Sequence, residues 1–243
     1  MKYNSVLDLH THTIVSGHAY STLREMAKAA SDKGLELLGI TEHAPKMPGT
    51  CHLFYFDNLR IVPRELYGIE LVLGSEVNIL DAKGTVDLPQ KTMEKLDIII
   101  ASLHTPCMEP GSCQENTEAY LNAMKNPCVN IIGHPDDGRY PVDYEQLAKK
   151  AKETGTVLEV NNGSLRPGGF RVDTSRIHAV ENDTIMLNYC KKYQVPVVMD
   201  SDAHFDTLIG EFDMARELLT KLDFPEELVL NRSAEEVKKY LKK

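Results

Sequence analysis

Seven short β-rich runs alternate along this chain with stretches of helical spacing, and no other feature narrows the possible folds so far. The runs are Val6 to His12, Leu37 to Glu42, Leu71 to Ile79, Asp97 to His104, Val129 to His134, Thr156 to Asn161 and Val195 to Asp200. Between them, Ser21 to Lys33, Thr117 to Lys125, Tyr144 to Glu153, Ile185 to Tyr193 and Gly210 to Leu222 carry the residue types of helices. Parallel strands need crossover connections, so repeated β-then-α units predict a parallel sheet covered by helices. Seven such units in 243 residues predict an α/β barrel, with residues 1–243 forming a single domain. Thr22 with Glu25, Asp143 with Gln146 and Ser233 with Glu236 predict helix starts, because each pair can satisfy exposed backbone donors. Asp81 to Gly84 predicts a hairpin tip after the third strand.

Composition removes several function classes. The chain is 42% hydrophobic and 26% charged, which excludes disordered and collagen-like polymers. With 27 Lys and Arg against 36 Asp and Glu the net charge is −9, so broad attraction to nucleic acid or an anionic membrane is not expected. Apolar runs such as Ile98 to Ala101 are far shorter than the roughly 18 residues a bilayer crossing needs. The mixed start around Asp8 and His10 does not read as a signal core, and a cytoplasmic location is expected. Five cysteines without CxxC spacing predict reduced thiols rather than a disulfide framework.

The histidines carry the chemical signal. Seven of the nine fall at or just past predicted C-terminal strand ends. His10 and His12 are two residues apart, which points both imidazoles to one face of a strand. His18 follows in a loop; His43, His104 and His134 end later strands; Glu76 lies in the third; Asp202 and His204 follow the seventh. A barrel places its chemistry on that rim, where strand ends are rigid and loops vary. Imidazole and carboxylate together suit Zn²⁺, Mn²⁺ or Fe²⁺ better than Ca²⁺ or Mg²⁺. A single catalytic ion takes about three protein ligands, so nine donors imply two or three ions. His52 and His178 are expected to be structural or surface residues.

Leu7-Asp8-Leu9-His10-Thr11-His12-Thr13, Ser16-Gly17-His18-Ala19-Tyr20, Ile40-Thr41-Glu42-His43, Gly74-Ser75-Glu76-Val77-Asn78, Ser102-Leu103-His104, Ile132-Gly133-His134-Pro135 and Asp200-Ser201-Asp202-Ala203-His204 occur in one order. In that order they resemble the polymerase and histidinol phosphatase (PHP) family, most closely its YcdX-type phosphatase subgroup. The resemblance implies a distorted (β/α)7 TIM-like barrel with a trinuclear centre of divalent ions, zinc first and manganese or iron as alternatives. It implies that His10, His12, Glu76 and Asp202 hold one ion, Glu76, His104 and His134 a second, and His18, His43 and His204 a third. Glu76 would then bridge two ions.

Multiple divalent ions would give an acidic protein a local field for an anionic substrate. They can also activate water and clamp both oxygens of an in-line displacement. The expected function is therefore a phosphatase acting on small phosphomonoesters through metal-bound hydroxide, with Glu76, Asp202 and His204 as candidate catalytic residues. Arg60, Arg64, Arg139, Arg166 and Arg171 are candidate phosphate or substrate contacts, since a guanidinium fork matches phosphate oxygens. Asn161 is a further candidate for orienting water or substrate, and Asp8 for holding an imidazole tautomer. A small phosphorylated substrate is expected, and neither a membrane nor a nucleic-acid partner. The alternatives are a phosphodiesterase or amidohydrolase-like C–N hydrolase, and a non-catalytic metal-binding PHP module.

Overall fold

A computed structural model describes residues 2–167 and 178–241. Its strands are β1 (Leu7–Asp8), β2 (Leu37–His43), β3 (Glu65–Leu66), β4 (Ile69–Asn78), β5 (Ile98–Ser102), β6 (Ile131–Ile132), β7 (Val157–Asn161) and β8 (Val197–Asp200). Seven of them run parallel in the order β1-β2-β4-β5-β6-β7-β8, while β3 forms a small antiparallel pair with β4. The helices are α1 (Leu23–Asp32), α2 (Leu53–Asn58), α3 (Gln90–Met93), α4 (Cys113–Ala123), α5 (Tyr144–Thr154), α6 (Asn162–Leu165), α7 (Ala179–Tyr193), α8 (Asp213–Lys221) and α9 (Ala234–Val237). The sheet curls until Thr11, beyond β1, bridges Ala203, beyond β8, so the predicted seven-unit barrel is present. No described helix is long and apolar enough to cross a membrane.

Strand alternation sorts the apolar residues into two cores. Leu38, Leu71, Leu73, Ile99, Leu158 and Val197 face outward and join helix residues such as Met26 and Leu147. Leu7, Leu37, Val72, Ile98, Ile131, Val157 and Val198 face inward, and Leu230, Val237 and Leu241 from the C-terminal segment close that interior. Each of these buried side chains contributes on the order of 1.5–3 kcal/mol.

The junction between β1 and β8 is not a regular ladder. Val229 bridges Val197 on one side, and Val6 N–H donates to Asn231 O at 2.8 Å on the other. The Asn231 amide accepts from Met199 N–H and donates to Met199 O, both at 2.7 Å, and donates to Leu7 O at 3.4 Å. Further up, Leu9 N–H donates to Asp200 Oδ1 at 2.7 Å, and Ser201 N–H to Asp8 Oδ1 at 3.1 Å. Side chains thus do there what backbone pairing does elsewhere.

That junction corrects one expectation. The first strand does not run regularly from Val6 to His12: Leu7 and Leu9 enter the apolar interior, yet His10 and His12 face the cluster above it. Asp8 is left on the junction, accepting from Ser201 and from Gly210 N–H, and it touches no imidazole. Helix α4 starts at Cys113 rather than Thr117, because Ser112 and Glu115 form a complete capping box. Thr22 with Glu25 forms another. The tip at Asp81 is a turn: Leu80 N–H donates to Thr85 O, and Asp81 Oδ1 accepts from Lys83 and Thr85.

Candidate metal centre

The C-terminal strand ends bring all nine expected donors together. Glu76 is fully buried at the middle. Its Oε1 lies 2.8 Å from His134 Nε2 and 3.2 Å from His104 Nε2. Its Oε2 lies 2.7 Å from His43 Nδ1, 3.4 Å from His10 Nε2 and 3.5 Å from His12 Nε2. Asp202 Oδ1 stands 3.4 Å from His12 Nε2, 3.5 Å from His204 Nδ1 and 3.7 Å from His10 Nε2. His18 Nε2 is 3.1 Å from His43 Nε2.

Three sets of donor atoms lie within 4.8 Å of one another: His10, His12 and Asp202; His43, Glu76 and His104; and His12, His43 and His204. The first holds three of the four residues of a set implied by the family resemblance, without Glu76. In the others, His43 stands beside Glu76 and His104 where His134 was expected, and His12 stands where His18 was expected. Two donors sit on left-handed backbone, His134 at φ 29° and Asp202 at φ 54°, a conformation that costs non-glycine residues energy. At His134 it turns the side chain out of strict strand alternation, since Ile131 is the inward position of that strand. Room below it comes from Gly133, where a Cβ would lie 2.3 Å from Ser102 Oγ.

A surrounding layer sets the tautomers. His10 Nδ1 donates to Glu159 Oε1 at 2.6 Å, and His104 Nδ1 to Asn78 Oδ1 at 2.8 Å. His204 Nδ1 donates to Asp202 O at 2.9 Å. Ser16 gives its single hydroxyl proton to Glu42 Oε2 at 2.6 Å, so it accepts from His12 Nδ1 at 3.2 Å. In each ring the bonded Nδ1–H leaves Nε2 as the atom that can serve as a ligand. His10 Nε2, His12 Nε2, His43 Nδ1 and Glu76 Oε2 are buried and have no hydrogen-bond partner. Polar atoms left unbonded in a dry interior are costly, and imidazole nitrogens gathered around a carboxylate are the donor set a divalent cation takes, so these residues fit divalent ions.

The electrostatics agree. Burial works against ionisation of Glu76, but His104, His10 and His43 outweigh it and hold the carboxyl well below its ordinary range. Asp202 is likewise depressed against its burial, by His10, His12 and His204. Burial lowers His104 to about 4, partly offset by Glu76, and lowers His204 to about 4, partly offset by Asp202. His10 goes the other way: burial disfavours its charge, but Glu159, Glu76 and Asp202 raise it well above 6.5.

The cluster floors a cavity of about 420 Å³. Arg139 lines it, with Nε and Nη2 gripping Asp137 at 2.6–3.1 Å and Nη1 donating to Thr105 Oγ1 at 3.3 Å. Arg60, Arg64 and Arg166 are not brought there. Arg64 ion-pairs with Asp97 at the N-terminal end of β5, opposite the rim. Arg60 is exposed on the turn after α2, and Arg166 lines a separate hollow with Asn162 and Glu211. Arg171 lies outside the described residues. Asn161 is buried beside the cluster, its Nδ2 3.1 Å from Glu159 and 3.3 Å from Asp202. His52 caps α2, and His178 pairs with Glu181 on the surface.

Sequence reasoning missed Glu159 and the role of Glu42. Besides His10, Glu159 accepts from His134 N–H at 2.5 Å. The available signal was a carboxylate in the otherwise uncharged strand Val157–Asn161.

The PHP domain family matches residues 8–165, a span that contains seven of the nine donors and ends before Asp202 and His204. A probable phosphatase of Clostridium novyi (strain NT) is 49% identical over 100% of this chain and 96% of its own length. One from Caldanaerobacter subterraneus subsp. tengcongensis is 47% identical over 99% of this chain and 92% of its own. Among solved structures, histidinol phosphate phosphatase from Lactococcus lactis subsp. lactis, in complex with zinc, L-histidinol and phosphate, aligns with TM-score 0.59 and 18% identity. The alignment covers 91% of this chain and 95% of that one. At that identity the likeness concerns the fold, and the sequence relatives settle membership: the chain belongs to the PHP domain family.

Proposed function

We propose that this chain is a metal-dependent phosphatase that hydrolyses small phosphomonoesters, with residues 1–243 acting as one unit. The observation that carries the reading is the set of buried, unbonded ligand atoms on His10, His12, His43 and Glu76 beneath a cavity of small-molecule size. The relatives of nearly half identity, called probable phosphatases, support it.

His10, His12, His18, His43, Glu76, His104, His134, Asp202 and His204 would hold two or three divalent ions, zinc first and manganese or iron as alternatives. Glu76 would bridge, since its two oxygens address different imidazoles. Such ions supply a lowered pKa for water and charge stabilisation for an in-line displacement at phosphorus. The protein's own part is positional. Glu159, Ser16 and Asn78 hold imidazole tautomers, and Asn161 steadies the Asp202 carboxylate. Arg139 is pinned along one edge by Asp137, which leaves N–H groups of its other edge for a phosphate oxygen.

Metal content by mass spectrometry, measured on the sample assayed against a phosphomonoester panel, tests the reading. His10→Ala and His134→Ala should lose metal and turnover together. Full turnover after complete chelation, or metal-loaded protein inert across the panel, would overturn it.

A further inference from the structure

Besides the candidate ligands, the described residues lining the cavity are Met47, Pro48, Thr105, Pro106 and Arg139. Only Thr105 and Arg139 have polar side chains; they bond to each other, Asp137 grips Arg139, and the reading above gives the remaining N–H groups of Arg139 to the phosphate. Met47 offers a polarisable apolar surface, and a proline has no N–H to donate. The wall is also preformed. Met47 N–H donates to Ala44 O at 3.1 Å, closing a turn directly after His43. Gly49 in the same loop packs on the His18 loop so closely that a Cβ on Gly17 would stand 2.0 Å from Gly49 O. Pro106 sits in a turn where Cys107 and Met108 N–H both donate to His104 O, at 2.8 and 2.9 Å.

A phosphate seated on the donor cluster would direct its ester substituent toward this wall. Sugar or nucleotide hydroxyls would lose water there and find few partners, whereas an alkyl or aromatic group would lose nothing and gain contact. Resting on the phosphatase reading above, we infer that the favoured substrates are phosphomonoesters of alcohols with an apolar face, seated against Met47, Pro48 and Pro106. Phosphorylated polyols are the disfavoured class. The reaction moves the phosphoryl group to water: the P–O ester bond breaks, a P–O bond to water oxygen forms, and the alcohol leaves with a proton.

Benzyl phosphate and glycerol 1-phosphate, both esters of primary alcohols, give the comparison in metal-loaded wild type. We expect kcat/KM to favour benzyl phosphate by about tenfold or more. Met47→Ser should bring that ratio toward one, and Met47→Leu should preserve it. Benzylphosphonate, which cannot be hydrolysed, should bind more tightly than methylphosphonate by calorimetry, with the gap narrowing in Met47→Ser. If Met47→Ser does not fold, Pro106→Ser should narrow the gap instead. Equal rates, a preference for the glycerol ester, or a phosphonate gap unmoved by the folded variant would overturn the inference and leave the phosphatase reading standing. If neither ester is turned over, the phosphonate gap alone decides the character of the wall, and the wider phosphomonoester panel decides the phosphatase reading.

Discussion

The two ends of the barrel interior are built from the same strands and opposite chemistry. Toward the N-terminal ends the inward positions are Val72, Ile98, Ile131, Val157 and Val198. Toward the C-terminal ends the same strands or the residues just past them carry Glu76, His104, His134, Glu159 and Asp202, all at or near full burial apart from the Asp202 side chain. Ile98 and His104 are separated by one short strand. Stability and chemistry are thus allotted to different levels of one cylinder, so a substitution can reach one with little effect on the other.

Glu76→Ala should show the largest separation. It removes the carboxylate that faces five imidazoles, and we expect bound metal to vanish and turnover to fall by at least about 10²-fold, while the metal-free fold still forms. Metal analysis with circular dichroism checks both halves. A variant that kept its ions would break the division from above.

Ile98→Ala probes the other level, where a buried aliphatic truncation costs about 2–5 kcal/mol. Denaturant unfolding of metal-free protein should register that loss, and metal stoichiometry of the folded fraction should match wild type.

Glu159→Gln lies at the boundary. An amide can accept from His10 or from His134 N–H, but its NH₂ cannot accept from the second donor, so metal affinity should drop about 10–100-fold. Competition with a chromogenic chelator measures it, and unchanged affinity would place Glu159 with the structural layer.

The smallest effect is in proton release. A proton competes with a metal only below the pKa of its site. Depression of His104 and His204 to about 4 by burial leaves both lone pairs free at pH 7. His10 is raised well above 6.5, against its burial, by Glu159, Glu76 and Asp202, so it must shed a proton on loading. Titration calorimetry at pH 7 in two buffers of different ionisation enthalpy should show about one proton released from this group per chain. Affinity should then rise with pH above neutrality, and a flat profile would count against the assignment.

What was legible in the sequence follows the reach of each signal. His10-Thr11-His12 and the strand-ending His43, His104 and His134 stand out because polar residues interrupt apolar runs at the ends of strands. The capping pair Thr22 and Glu25 acts over one turn and was readable for the same reason. Glu159 was hidden because its partners are His10 and the His134 backbone, 149 and 25 residues away. The arginines could not be told apart for a related cause: Arg139 lines the cavity, whereas Arg60 and Arg64 do not. A guanidinium reads the same on either rim, and only the pairing of Arg64 with Asp97 tells that it sits at the opposite end from Arg139. At the turn that redirects His134 the left-handed residue is His134 itself and not the neighbouring Gly133, so the sequence does not announce the redirection.

The stitched junction has a consequence for biosynthesis. Asn231 supplies the amide that joins Leu7 of the first strand to Met199 of the last, below the Leu9–Asp200 and Thr11–Ala203 contacts, so a nascent chain cannot finish that part of the seam until that residue has left the ribosome. Until then the seam stands partly open, with the lower part of the first strand unpaired on one side, a condition prone to association with other chains. A chain terminated before Val229 would remain in that state, so loss of a short tail far from the donors should produce aggregation rather than a merely slower enzyme.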